Sequence, residues 1–268
     1  MNTKSDGYEL TEPLFSPFSD WLAELCNIEK GMHVLDVGCG IGVSAFSILK
    51  TVGRKGKVIG VDISPRLISQ ALRRKEEMKI PNISFMPGNA DDLDFPNNTF
   101  DRVVSNFVLQ QVSDRIKTIQ EMKRVLRPGG YLGFTLPALE HYKEFREITA
   151  SVLKEDLSRP PKSCIRSNPD VLQSLLNETH IPDAQVHSKT RTFCINSVDD
   201  YDVILETRGP KKATLHRIPT NEQTKIWETI LDEFRKRQRE KGYLPLTIHA
   251  NAIIWRKPKK GDENYELS

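Results

Sequence analysis

Between residues 30 and 137 the chain alternates short apolar runs with longer stretches of helical spacing. HVLDV (33–37), GKVIGVDIS (56–64), NISFMPGNA (82–90), FDRVVSNFV (100–108) and GGYLGFTLP (129–137) read as strands. IGVSAFSILKTV, SPRLISQALRRKEEM and SDRIKTIQEMKRVL between them read as helices. The second of these helices is signed at its start by Ser64 as N-cap and Pro65 at the first helical position. Pro128-Gly129-Gly130 reads as a turn before the fifth strand. Strands alternating with helices predict βαβ units and a parallel sheet covered on both faces.

The flanks follow other patterns. LFSPFSDWLAELCN (14–27) has helical spacing once past Pro17, with Phe15, Phe18 and Trp21 as packing residues. After Pro137 the pattern predicts a helix opening near His141 and Tyr142, the Pro-rich SRPPKS, a second helix over NPDVLQSLLNETHI and an extended AQVHSKTRTFCI. A long helix follows from Thr220, carrying Ile226, Trp227, Ile230, Leu231 and Phe234. LTIHANAIIWRKP is a last strand and KKGDENYELS a frayed polar tail. The expected organisation is an N-terminal helical lid (1–29), a ligand-binding core (30–137), a substrate cover completing the same domain (138–258) and a tail (259–268).

Composition changes this picture little. The 268 residues are 38% hydrophobic and 28% charged, within the range of an ordinary globular protein. A net charge of +3, and basic residues without interleaved aromatics, give no sign of a nucleic-acid partner. No run approaches the ~18 apolar residues of a membrane span, and the N-terminus lacks the order of a signal peptide. Cys26, Cys39, Cys164 and Cys194 follow no metal-binding spacing, so reduced thiols and a cytoplasmic location are expected.

The chemistry concentrates at Asp36-Val37-Gly38-Cys39-Gly40-Ile41-Gly42. A dinucleotide fingerprint wants a glycine at the position of Val43, and no Walker lysine follows. Phosphate therefore fits poorly, and Asp36 beside the glycines would repel it. A carboxylate next to a tight turn suits a ligand bearing an ammonium or sulfonium. Asp62, at the end of the second strand, is placed to accept both hydroxyls of a ribose.

VLDVGCGIG, VDIS, GNADDLDF, FDRVVSNFVLQQV and LRPGGYL together resemble, in order and spacing, the class I S-adenosylmethionine-dependent methyltransferases, most nearly the ubiquinone/menaquinone-type branch. The resemblance covers residues 30–137 well and the rest only in layout. It implies an α/β Rossmann-like fold: a seven-stranded, mostly parallel sheet with helices on both faces and a final antiparallel strand. It implies S-adenosylmethionine as cofactor, with Asp36 and the Gly38-Cys39-Gly40 backbone at the methionine end. Asp62 would take the ribose, Ile63 the adenine face, Asn89 and Ala90 the adenine edge, and Asn106 the methionyl ammonium. Asn89 stands where the family usually has aspartate, and Asp91 or Asp92 is the alternative for that contact. Gln110 and Gln111 stand where many relatives have histidines, so no base is supplied there and no catalytic residue is assigned. Tyr8, His141 and Tyr142 are weighed as substrate-mouth residues against ordinary structural roles. The expected substrate is a small hydrophobic metabolite. The alternatives are a binding protein of the same fold without turnover, and a methyltransferase acting on a protein.

Overall fold

The computed structural model describes residues 7–155, 169–259 and 261–262. Cys164, the SRPPKS stretch, the side chain of Tyr8 and most of the polar tail lie outside the described residues. The chain runs α1 (Tyr8–Leu25), β1 (His33–Val37), α2 (Val43–Val52), β2 (Lys57–Asp62), α3 (Pro65–Glu77), β3 (Ile83–Pro87), β4 (Phe100–Asn106), α4 (Arg115–Val125) and β5 (Leu126–Pro137). It continues through α5 (Lys143–Leu153), α6 (Pro169–Glu178), β6 (Gln185–Ile195), α7 (Val198–Arg208), α8 (Pro210–Leu215), α9 (Thr220–Lys241) and β7 (Leu244–Arg256).

The sheet has seven strands in the order β3-β2-β1-β4-β5-β7-β6. Strands β1 to β5 pair in parallel, and β7 lies antiparallel to β5, with Tyr131 opposite Arg256 and Pro137 opposite Ala250. This is the Rossmann-like α/β fold expected from the sequence. The order reverses between β1 and β4, which opens a crevice beyond their carboxyl ends.

The chain divides into two compact units, and they do not coincide with the expected lid, core and cover. Residues 15–138, 165–189 and 250–268 form the larger one. Strand alternation gives it two apolar layers. Leu35, Val37, Val103 and Phe134 face one cluster with Ile119 and Met122 of α4 and Leu176 of α6. Val34, Val58, Val104 and Ile254 face the other, with Leu22 of α1, Ile48 of α2 and Ile68 of α3. Asp36, two residues from Val34, shares that second face.

Helix α1 starts earlier than expected and continues through Pro13 and Pro17. Each proline lacks an N–H, an interior cost of roughly 3 kcal/mol. Burial of Phe15, Phe18 and Leu22 offsets it. Residues 15–25 of α1 thus lie in the larger unit, with Phe15, Phe18 and Leu22 buried. Its C-terminal carbonyls are held by the buried Arg102 of β4: Nε donates to Cys26 O (2.6 Å), and Nη2 to Asn27 O (3.0 Å). Nη1 donates to Asp101 O (2.7 Å), and the guanidinium lies 4.9 Å from the centre of the Tyr131 ring. Arg102→Lys is expected to lose about 2–3 kcal/mol in urea unfolding, because one ammonium cannot reproduce the fork. A loss below ~0.5 kcal/mol would make these contacts dispensable.

The smaller unit comprises residues 1–14, 139–164 and 190–249. Tyr201 packs at a tilt against Phe234 with ring centres 4.4 Å apart, and Phe145 against Trp227 at 6.1 Å. The buried Glu144 accepts from Thr247 N (2.9 Å) and Thr247 Oγ1 (2.5 Å). His141 and Tyr142 precede α5 rather than opening it. Both are buried, with Tyr142 N donating to Thr247 O at 2.7 Å. Helices α7 and α8 lie in a stretch left unassigned by the sequence pattern. Their signals were nonetheless local: Ser197 caps α7 through Asp200 N, and Gly209 ends it immediately before Pro210 of α8. Pro128-Gly129-Gly130 lies within β5, where the pairing with β4 shifts register between Phe100 and Arg102, rather than in a turn before it.

Candidate functional site

The glycine turn is fastened from within. Gly38 N and Cys39 N both donate to Val61 O (2.8 and 3.0 Å), and Gly42 N donates to Cys39 O (2.9 Å). Gly40 N donates to Asp62 Oδ2 at 2.8 Å. Four amides that could cradle a phosphate are therefore already engaged, and what the turn retains for a ligand is acceptor capacity.

Side-chain space explains the glycine spacing. Gly38 has φ +75°, and a Cβ there would stand 2.4 Å from Val108 Cγ1. Gly42 has φ +88°, and its Cβ would strike Phe85 and Phe46 at 2.8 and 2.9 Å. The early third glycine thus serves ring packing. Cys39 turns its side chain inward over Gly60, leaving only its backbone for a ligand. Burial pushes its thiol well above the ordinary cysteine range, helped by Asp36 and Asp62, so it stays protonated and unreactive.

Asp36 is 1% exposed, and its Oδ2 has no hydrogen-bond partner. Burial raises its carboxyl to about 7, the nearby Asp62 adds to the rise, and a hydrogen bond from the Ala45 amide opposes it. A buried acceptor without a donor is costly, and a positively charged donor would relieve it. Asp62, by contrast, is braced at both oxygens, by Gly40 N and by Ser64 N (2.9 Å). Each oxygen keeps a lone pair for a further donor.

The other expected residues sit at neighbouring strand ends. Ile63 is 75% exposed, an apolar side chain left in the open beside Asp62. Beyond β3, the exposed Asn89 accepts from Asp91 N through Oδ1 (3.1 Å), while Ala90 turns toward the core. Asp91 is buried, and its two oxygens accept from Ser113 Oγ (2.7 Å) and Thr118 Oγ1, whereas Asn89 is exposed. Asn106 ends β4 in a polar chain that also contains Ser19, Ser44 and Thr135. Sequence reasoning singled out neither serine and not Thr135, because small polar residues carry no spacing signal. Gly40 is tied to Asp62, Gly38 and Cys39 are tied to the neighbouring Val61, and Asp36 and Asn106 stand near the carboxyl ends of the paired strands β1 and β4. Gln110 and Gln111 both donate to Phe107 O (2.6 and 3.4 Å).

A family model described as a methyltransferase domain matches residues 28–235. A demethylmenaquinone methyltransferase of Oceanobacillus iheyensis is 38% identical over 104 residues, which is 39% of this chain and 44% of that protein. The chain therefore spans less than half the length of the curated relatives it matches first. A S-adenosylmethionine-dependent methyltransferase structure from Aquifex aeolicus superposes with a TM-score of 0.53 at 17% identity, covering 95% of this chain and all of that one. The phosphoethanolamine N-methyltransferase 2 of Haemonchus contortus, solved with S-adenosylmethionine, gives 0.54 at 18% identity over 91% of this chain and 53% of its own. The chain belongs to the methyltransferase-domain family.

Proposed function

We propose that this protein transfers a methyl group from S-adenosylmethionine to a small hydrophobic acceptor. The observation that carries the reading is Asp36: a buried carboxylate with an unpartnered oxygen, beside a glycine turn whose amides are internally engaged. That combination suits a cationic ligand and disfavours a pyrophosphate. Asp36 and the Gly38-Cys39-Gly40 carbonyl groups hold the ammonium-bearing end, with Asn106 on the opposite strand. Asp62 accepts the ribose hydroxyls, Ile63 covers one face of the adenine, and the Asn89–Ala90 stretch meets its edge. The bound cofactor supplies an electrophilic methyl carbon to an acceptor nucleophile. The protein's own contribution is alignment and exclusion of water, an effect that can supply ~7–11 kcal/mol. With Gln110 and Gln111 bound to a backbone carbonyl, the nucleophile is one that needs no base from that loop.

The hydrophobic character of the acceptor is supported by Phe15, Phe18 and Phe107 at the end of β4, and by the quinone in the names of the curated relatives. A cytoplasmic site of action is supported by the free thiols of Cys26, Cys39 and Cys194. Titration calorimetry is expected to give heat with S-adenosylmethionine and none with NAD or ATP. Binding of NAD without binding of S-adenosylmethionine would overturn the reading. Incubation with isotope-labelled cofactor and a metabolite extract, followed by mass spectrometry, is expected to label a small apolar product. Labelled protein instead would redirect the acceptor to a polypeptide.

Asp62→Ala should weaken cofactor binding by about 1.5–3 kcal/mol, the worth of hydrogen bonds to a charged group. Because Gly40 N and Ser64 N lose their acceptor, it should also lower the unfolding temperature of the ligand-free protein. Undiminished affinity would place the ribose elsewhere.

A further inference from the structure

The polar chain at the strand ends joins four elements, yet three of its members, Ser19 of α1, Ser44 of α2 and Thr135 of β5, belong to none of the motifs that mark the cofactor site. We propose, resting on the cofactor reading above, that Ser19 and Thr135 are positioning residues: they hold the ligand-side end of β4, and Asn106 with it, in the shape that accepts S-adenosylmethionine.

The hydrogen bonds run in a chain with one side branch, from Ser19 Oγ to Phe15 O at 3.5 Å. Phe107 N donates to Thr135 Oγ1 at 2.8 Å. Thr135 gives its only hydroxyl proton to Asn106 Oδ1 at 2.6 Å. Asn106 Nδ2 then donates to Ser19 Oγ at 3.0 Å, and Ser19 Oγ lies 2.8 Å from Ser44 Oγ. Ser19 and Thr135 are 1% and 0% exposed, so solvent cannot substitute for either partner. A buried chain of this kind fixes both ends of the Asn106 amide, and loss of one member leaves its neighbours unsatisfied.

Two features tie the chain to the ligand rather than to the fold alone. Phe107 follows Asn106 with φ +56°, a left-handed backbone that is unfavourable for a residue bearing a side chain. It is held there by Thr135 at its N–H, by Gln110 and Gln111 at its carbonyl, and by edge contacts from Phe15 (5.1 Å) and Phe18 (5.5 Å). Strain retained at the mouth of a ligand crevice marks a shape needed for binding. At the other end, Ser44 is followed by Ala45, whose amide hydrogen-bonds Asp36. The first turn of α2 therefore holds Asp36 directly and reaches Asn106 through Ser19. The two groups assigned to the cofactor's charged end are thus coupled through α1, which becomes a wall of the site.

The test uses the full chain with S-adenosylhomocysteine, the non-reacting product, by titration calorimetry, alongside unfolding temperatures without ligand. Thr135→Val and Ser19→Ala are each expected to raise Kd at least tenfold, and Thr135→Ser, which keeps the hydroxyl, to stay within threefold of the parent. Ser19→Ala leaves Thr135, Asn106 and Phe107 bonded to one another, so it carries the test if Thr135→Val does not fold. A folded Ser19→Ala that binds like the parent overturns the inference, as does equal loss in Thr135→Ser and Thr135→Val. A lowered unfolding temperature with unchanged Kd would reduce the chain to a structural role and also overturn it. If the parent protein itself binds no S-adenosylhomocysteine, the cofactor reading fails and takes the inference with it.

Discussion

Asp36→Asn is expected to stabilise the ligand-free protein at pH 8 while removing most of its affinity for S-adenosylmethionine. The carboxyl ordinarily titrates near 3.8 and in the folded chain near 7, raised first by burial and then by Asp62. A raised pKa means that the folded state holds its proton more tightly than the unfolded chain. Its favourable contribution is therefore complete below about pH 4 and is lost as pH rises through 7. At pH 8 the ionised side chain burdens the fold by up to a few kcal/mol. Asparagine removes that burden but places an N–H₂ where Oδ2 had no partner, so a net gain of about 1–3 kcal/mol is expected at pH 8. By pH 5 the gain should vanish or reverse. Binding moves the other way. Removing one partner of a buried charge pair costs about 2–5 kcal/mol, roughly 30-fold or more in Kd. A cationic ligand also favours ionised Asp36, so the parent should release close to one proton on binding at pH 6 and far less at pH 8.5. Calorimetry in buffers of different ionisation enthalpy reads this directly. No proton release at pH 6, or a variant that binds normally, would remove Asp36 from the site.

Gly38→Ala is expected to be the most damaging change for its size. The new Cβ would lie 2.4 Å from Val108 Cγ1 and 2.5 Å from Cγ2, far inside contact distance, with the backbone at φ +75°. The left-handed conformation costs alanine about 1–2 kcal/mol, and overpacking adds about 1–3. A loss of roughly 2–5 kcal/mol in urea unfolding should follow. Trimming the neighbour in Gly38→Ala/Val108→Ala should recover the overpacking part and leave the backbone part, a non-additivity that a double-mutant cycle isolates. Gly38→Ala at a cost below 1 kcal/mol would show that the turn relaxes freely.

Much of the site is legible in the chain because its signals are local. A glycine that cannot carry a Cβ, an acidic residue two positions before it, and a Ser-Pro helix start each act within a few residues. The cap at Ser64, which accepts from Leu67 N at 3.4 Å, needs nothing distant to form. For helix α1 the opposite holds. Local rules stop a helix at Pro17, and only burial of Phe15 and Phe18 outweighs them. Asp91 illustrates the same limit: its burial and its bonds to Ser113 and Thr118, brought from α4 and its approach, are set by tertiary contact and not by its place in the motif.

By itself the sequence determined the order of strands and helices from β1 to β5, the glycine turn between β1 and α2, and the carboxylates at the ends of β1 and β2. Hydrophobic period and backbone sterics act along the chain and need no distant partner. Only the tertiary structure decided that Asp36 is sealed from water with one oxygen unpartnered, that the turn's amides are engaged by Val61 and Asp62, and that Ser19 meets Asn106. Burial and hydrogen-bond completion depend on which distant residue arrives. Ser19 and Asn106 are 87 positions apart, a distance no local pattern spans.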